Sequence, residues 1–216
     1  MTSAELERNV ADELSWDPKI DSKAIAVSVE DGIVTLRGTV GSLRQKREAK
    51  KAAGRVRGVI YVNDDLEVKI LTEQRREDAD VRGDVLRALQ LDSRVPTGVD
   101  ATVKDGFVTL TGGVDWQYQR NEANFVAGNV PGVTGVNDQI YLIRPTPNTD
   151  GVEHSIGKAF TRDARLDANN LTVVISNGTA TLTGTVRSWS DRDAAVAAAW
   201  SAPGITAVTD SLNVIY

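Results

Sequence analysis

Three short stretches decide the fold: Gly32–Gly38 reads G-I-V-T-L-R-G, Gly106–Gly112 reads G-F-V-T-L-T-G, and Gly178–Gly184 reads G-T-A-T-L-T-G. They stand 74 and 72 residues apart, and self-similarity held at a fixed spacing marks duplicated structural units. Working outward, another glycine follows each stretch after 20 positions, at Gly58, Gly132 and Gly204. Six residues further on stand Asp64, Asp138 and Asp210. Upstream, D-P-K-I from Asp17, D-S-R-V from Asp92 and D-A-R-L from Asp163 keep the register to within one residue. The length of 216 residues, which alone suits one or two domains, is therefore read as three modules, over 1–72, 76–145 and 150–216.

Each module can be read from three sequences at once. Leu6, Val10 and Leu14 recur as Val81, Val85 and Leu89 and as Val152, Ile156 and Phe160, at one-turn spacing that predicts an amphipathic helix. Period-two alternation then predicts two strands, carrying Ile25, Val27 and Val29 followed by Val34, Leu36 and Val40 in the first module. Between them lie Asp31-Gly32, Asp105-Gly106 and Asn177-Gly178, dipeptides suited to a type I′ hairpin because both central residues need positive φ. A second helix is expected near Ser42, Asp115 and Ser188, with a small-residue stripe such as Ala49, Ala52, Ala53 and Val56. The glycines at 58, 132 and 204 follow its end, and a last strand, Val62, Leu66 and Val68 in the first copy, closes the unit. The order is αββαβ, an α+β class: a mixed three-stranded sheet with both helices on one face. Strands two and three are joined through a helix, so they should run parallel with a right-handed crossover.

The junctions differ. Glu73–Asp80 is charged and could serve as the first turn of the next helix, whereas Arg144–Gly151, R-P-T-P-N-T-D-G, holds two prolines and reads as a linker. Units of about 70 residues bury only about 60% of their unfolded surface, so docking of neighbours on the bare sheet faces is expected to add stability.

The pattern D-P-K-I-D, then V-x-V-x-D-G-x-V-T-L-x-G-x-V, then a helix and G-V-x-x-V-x-D-x-L-x-V resembles the BON domain (bacterial OsmY and nodulation), in three tandem copies. The resemblance implies bacterial proteins of osmotic and envelope stress, associated with binding anionic phospholipid, with potassium sensing beside a different domain, and with chaperone-like roles. It implies no catalytic motif. The motif glycines Gly32, Gly38, Gly58, Gly106, Gly112, Gly132, Gly178, Gly184 and Gly204 all have structural explanations as turns and caps.

Composition narrows the chemistry. Hydrophobic residues make up 41% and charged residues 25%, so a packed core is expected. With no cysteine, disulfides and thiolate metal sites are excluded. The acidic amphipathic N-terminus lacks a basic start and apolar run, so no secretory signal is expected, and no apolar stretch is long enough for a membrane span. These readings predict a cytoplasmic protein, peripheral to the inner membrane. The net charge of −5 does not suggest nucleic acid. His154 is the sole histidine, read as an exposed helix residue, and no G-x-S-x-G, P-loop or H-E-x-x-H pattern is present. No cofactor is called for, and the expectation is a non-enzyme. Asp17, Asp92 and Asp163 are read as turn or capping residues.

Charge is what differs most between copies. The first module's second helix and following turn carry Arg44, Lys46, Arg47, Lys50, Lys51, Arg55 and Arg57 against Glu48 alone, while the third keeps chiefly Arg192 with Asp191 and Asp193. A basic face of this kind can rest on anionic lipid or be a solvated helix face. Trp116, Tyr118 and Trp189 fall at the start of the second helix, and Trp16 in the loop after the first; tryptophan suits membrane and protein interfaces alike, contacts between modules included. Trp200, one turn before the second helix ends, is read as packing. The leading expectation is anionic phospholipid binding through these basic and aromatic residues, or contact with another protein. The alternative is an ion-responsive (potassium) or chaperone-like scaffold, motivated by the acidic second and third modules.

Overall fold

The computed structural model describes residues 2–70, 76–143 and 151–215. Residues 73–75 of the first junction and 144–150 of the second lie outside these. The described chain comprises α1 (Ser3–Trp16), β1 (Ile25–Glu30), β2 (Ile33–Val40), α2 (Leu43–Arg55) and β3 (Tyr61–Val68) in the first module. The second holds α3 (Asp78–Leu91), β4 (Val99–Lys104), β5 (Phe107–Val114), α4 (Gln117–Gly128) and β6 (Gly135–Leu142). The third holds α5 (Val152–Arg162), β7 (Leu171–Ser176), β8 (Thr179–Val186), α6 (Trp189–Trp200) and β9 (Ala207–Val214). Two compact units result: residues 1–114 with 119–141, and residues 115–118 with 142–216.

Each module forms its own three-stranded sheet with the middle strand between the other two. β1–β2 and β7–β8 are antiparallel hairpins, and β2–β3 and β8–β9 run parallel, as a helical return demands. The hairpins turn at Asp31, Asp105 and Asn177, whose φ values of 49°, 52° and 50° lie in the left-handed region, each followed by a positive-φ glycine. That is the type I′ geometry, whose twist matches the strands it joins. Gly38, Gly112 and Gly184 answer a second need: a Cβ there would strike the backbone carbonyl of Ala24, Gly98 or Asn170.

Alternation along the strands sends one face to the helices. Val34, Leu36 and Val40 are buried with Leu6, Val10 and Leu14 from α1 and Ala49, Ala52 and Ala53 from α2, one continuous core, and the third module repeats it with Phe160, Leu182 and Ala195. Alanine on the second helix lets its backbone approach the sheet closely. Ser42 and Ser188 cap α2 and α6 by accepting from the backbone N–H of Gln45 and Asp191. α4 instead begins at Gln117, two residues past Asp115.

Two expectations need correction. Trp16 ends α1 rather than following it, and Trp200 is the last residue of α6, packed against that module's core. On the outer sheet faces, Ser28, Glu30, Asn63, Asp65 and Glu67 in the first module and Thr172, Thr209, Ser211 and Asn213 in the third are exposed. These side chains are polar, so leaving them in water costs little.

Candidate functional site

The recurrent aspartates explain themselves in the structure. Asp17, Asp92 and Asp163 each accept, through Oδ1, the backbone N–H two residues on, from Lys19, Arg94 and Arg165. This is an Asx turn closing the loop after the first helix. Arg165 also grips Asp163 with its guanidinium, and that contact, followed by the backbone bond, brings the carboxyl down from 3.8 to about 2. Asp17 is likewise lowered, first by the Lys19 backbone N–H and then by Arg55. Asp64, Asp138 and Asp210 accept from the backbone N–H of Leu66, Ile140 and Leu212.

These same three aspartates face a cation on the second helix. Lys46 stands 3.7 Å from Asp64, Arg120 2.9 Å from Asp138, and Arg192 2.7 Å from Asp210. Lys46 also donates to the Leu66 carbonyl at 2.5 Å. One helix–strand ion pair is thus built into every module, and Lys46 belongs to it.

The remaining cations of the first module's basic helix divide in two. Arg55 donates to Glu13 at 2.9 Å and Asp17 at 3.2 Å, tying the end of α2 to the end of α1. Arg47 leaves its own module: Nη2 donates to Asn124 Oδ1 at 2.6 Å and to the Asn124 carbonyl at 3.0 Å, and Nη1 to the Phe125 carbonyl at 3.4 Å. Burial there pulls its guanidinium below the usual value. Arg44, Lys50, Lys51 and Arg57 are exposed and, among the described residues, form no ion pair.

The aromatic candidates belong to the second and third modules. Trp116 immediately precedes α4 and Tyr118 lies in its first turn, while Trp189 begins α6, where the Arg192 guanidinium sits 4.8 Å above its ring, a cation–π contact that ties it to the helix–strand pair. In the second unit, Trp116 lines a cleft of about 370 Å³ with Leu142, Ile143 and Trp200. Two further large apolar residues are exposed in the first unit. Trp16, 84% exposed, precedes the Asp17 that holds Arg55, and Phe125, 52% exposed, has its carbonyl on Arg47. Trp16 was read as a loop residue, whereas the signal for Phe125 is a large apolar residue off the core stripe of its helix.

His154 is exposed on α5, and among the described residues no group of three or more His, Cys, Asp or Glu is placed to hold a metal ion. A polar cleft of about 430 Å³ in the third module is lined by residues that include Thr161, Arg165, Asp167, Asn170, Arg187 and Asp191. No described helix is long and apolar enough to cross a membrane.

Comparison with known proteins agrees with the repeat. The BON domain model matches residues 2–70, 77–143 and 148–216. Osmotically-inducible protein Y of Escherichia coli (strain K12) is 35% identical over 126 residues, 56% of this chain and 63% of that protein. The chain therefore spans less than two thirds of this relative's length. Among solved structures, the C-terminal domain of CdsD, the structural protein of the type III secretion system of Chlamydia trachomatis, aligns over 100% of both chains at 15% identity, with a TM-score of 0.28. A second CdsD structure aligns over 98% of this chain and 92% of its own at 16% identity, again with a TM-score of 0.28. Scores this low do not define a common arrangement.

Proposed function

Because the chain belongs to the BON domain family, with three copies across nearly its whole length, we propose that it is a non-enzymatic protein that rests on anionic phospholipid surfaces under osmotic or envelope stress. The stress context is suggested by the relative named osmotically-inducible protein Y. One observation carries the lipid reading: Arg44, Lys50, Lys51 and Arg57 are exposed around α2 without an ion pair among the described residues, in a chain whose net charge is −5. An acidic protein that leaves four cations uncompensated in one place has a surface suited to an anionic partner. At about 1 kcal/mol for each Lys or Arg near such a membrane, the four supply about 4 kcal/mol, roughly a thousandfold in partitioning. Trp16, with its ring in solvent, supplies an indole able to lie at the headgroup level.

The test is co-sedimentation with phosphatidylglycerol vesicles at low salt, with phosphatidylcholine vesicles as the neutral control. The full chain should pellet with the former alone and release as salt is raised. R44E/K50E/K51E/R57E should stay in the supernatant. Absence of pelleting by the natural chain, or pelleting unchanged by the reversal, overturns the proposal.

A further inference from the structure

We propose that Arg47 is the key by which the first module recognises the second, closing the C-terminal end of α4 from outside its own module. The last carbonyls of a helix have no intrahelical donor and carry the negative end of the helix dipole, so they call for a cation or a capping N–H. α4 has no basic residue in its last turn. Past the helix end, the N–H of Asn129 goes to the Val126 carbonyl and that of Val130 to Ala127. The Phe125 carbonyl is thereby passed over, and Arg47 Nη1 reaches it, while Nη2 holds the carbonyl and side-chain oxygen of Asn124. The planar fork of arginine suits several acceptors held in fixed geometry, which a lysine ammonium could not span in the same way.

The receiving surface is shaped for this group. Gly128 is buried, and a Cβ built on it would lie 2.7 Å from the Arg47 Cζ, so the guanidinium occupies the place where a side chain would be. The equivalent glycine of the first module, Gly54, has nothing within 4 Å, so packing does not require its lack of a side chain. The third module carries Trp200 at that position. Arg47 itself is replaced by Asn121 in the second module and Asp193 in the third. The arginine thus occurs in one module only, and only at Gly128 is the glycine's open side filled by it, which makes the pairing of modules one and two specific rather than a general property of adjacent copies.

Amide hydrogen exchange on the full chain tests this, read at residues 124–128 in four proteins: natural, R47A, G128A and R47A/G128A. Alanine is a good helix former at both positions, so folding is retained and can be checked by circular dichroism. Charge-assisted hydrogen bonds of this kind predict that R47A speeds exchange in the last turn of α4 by roughly tenfold. Because a Cβ at position 128 already displaces the guanidinium, R47A should add little in the G128A background, a non-additivity expected only of groups in contact. K51A, which removes a neighbouring exposed cation, should leave this turn unchanged. The inference is overturned if R47A does not change exchange at these residues, if its effect is equally large with and without G128A, or if K51A reproduces it.

Discussion

α2 and α6 are the same helix built for two different surroundings. Their inward halves are interchangeable in kind: Ala49, Ala52 and Ala53 correspond to Ala195, Ala198 and Ala199, both helices start from a capping serine, and both send a cation to a strand aspartate. Their outward halves share little. Where α2 carries Arg44, Arg47, Lys50 and Lys51, α6 carries Ser190, Asp193, Val196 and Ala197. The comparison separates what the fold demands of a helix from what it leaves free, since a side chain facing water contributes little to packing and can change without loss of the module. Function in this protein is therefore sought in the outward residues, and the first module is where they depart furthest from a neutral surface.

The strongest way to break this comparison is through the shared half. Leu36, Leu110 and Leu182 are each no more than 1% exposed, and replacing any of them by alanine should cost about 2–5 kcal/mol, measured by urea unfolding with hydrogen exchange to locate the loosened module. A module that tolerates the change would show that the three cores are not equivalent. Next in size is a transfer of the outward half: S190R/A197K places two cations on exposed positions of α6 and should raise phosphatidylglycerol vesicle binding by roughly tenfold or more at low salt. If binding does not rise, the charge on α2 acts only in its own setting.

The shared ion pair gives a smaller effect. Arg192 and Asp210 are 21% and 25% exposed at 2.7 Å, whereas Lys46 and Asp64 are separated by 3.7 Å. Arg192→Met should therefore cost about 1 kcal/mol and Lys46→Met less, by thermal unfolding at low salt. The smallest effect is on acid stability. Asp163 titrates lower in the fold than its ordinary 3.8, at about 2, so its contribution is complete above the ordinary value and lost as pH falls through about 2. Unfolding followed between about pH 4 and 2 should show a shallower acid slope in D163N than in the natural chain, and Asp17, lowered by its own turn and Arg55, should act in the same direction in the first module.

Most of the architecture was legible in the sequence because it rests on local rules. The period-two run Val34, Leu36, Val40 could only place those residues on one face, and Asp31-Gly32 could only be a tight turn, so hairpin, core and module count followed from residues near one another in the chain. The small misses, Trp16 and Trp200 at the ends of α1 and α6, concern boundaries, where one residue more or less of helix changes energy little. The candidate site was legible only as a stock of cations. Seven basic residues on one stretch read alike as surface charge, yet Lys46 is held by a strand aspartate, Arg55 by α1, and Arg47 by a helix of the next module.

What the sequence determined by itself is the threefold module, its strand order and its buried stripe, because periodicity, turn chemistry and steric limits act over a few residues and are written in residue type. What only the tertiary structure decided is which charges remain free. Arg47 meets Asn124 across 77 positions of chain, and nothing in the residue types near either one encodes that meeting. An ion pair or a capping bond depends on what stands opposite, at ångström distance and with water excluded, and that is a property of assembled elements rather than of the segment carrying the charge.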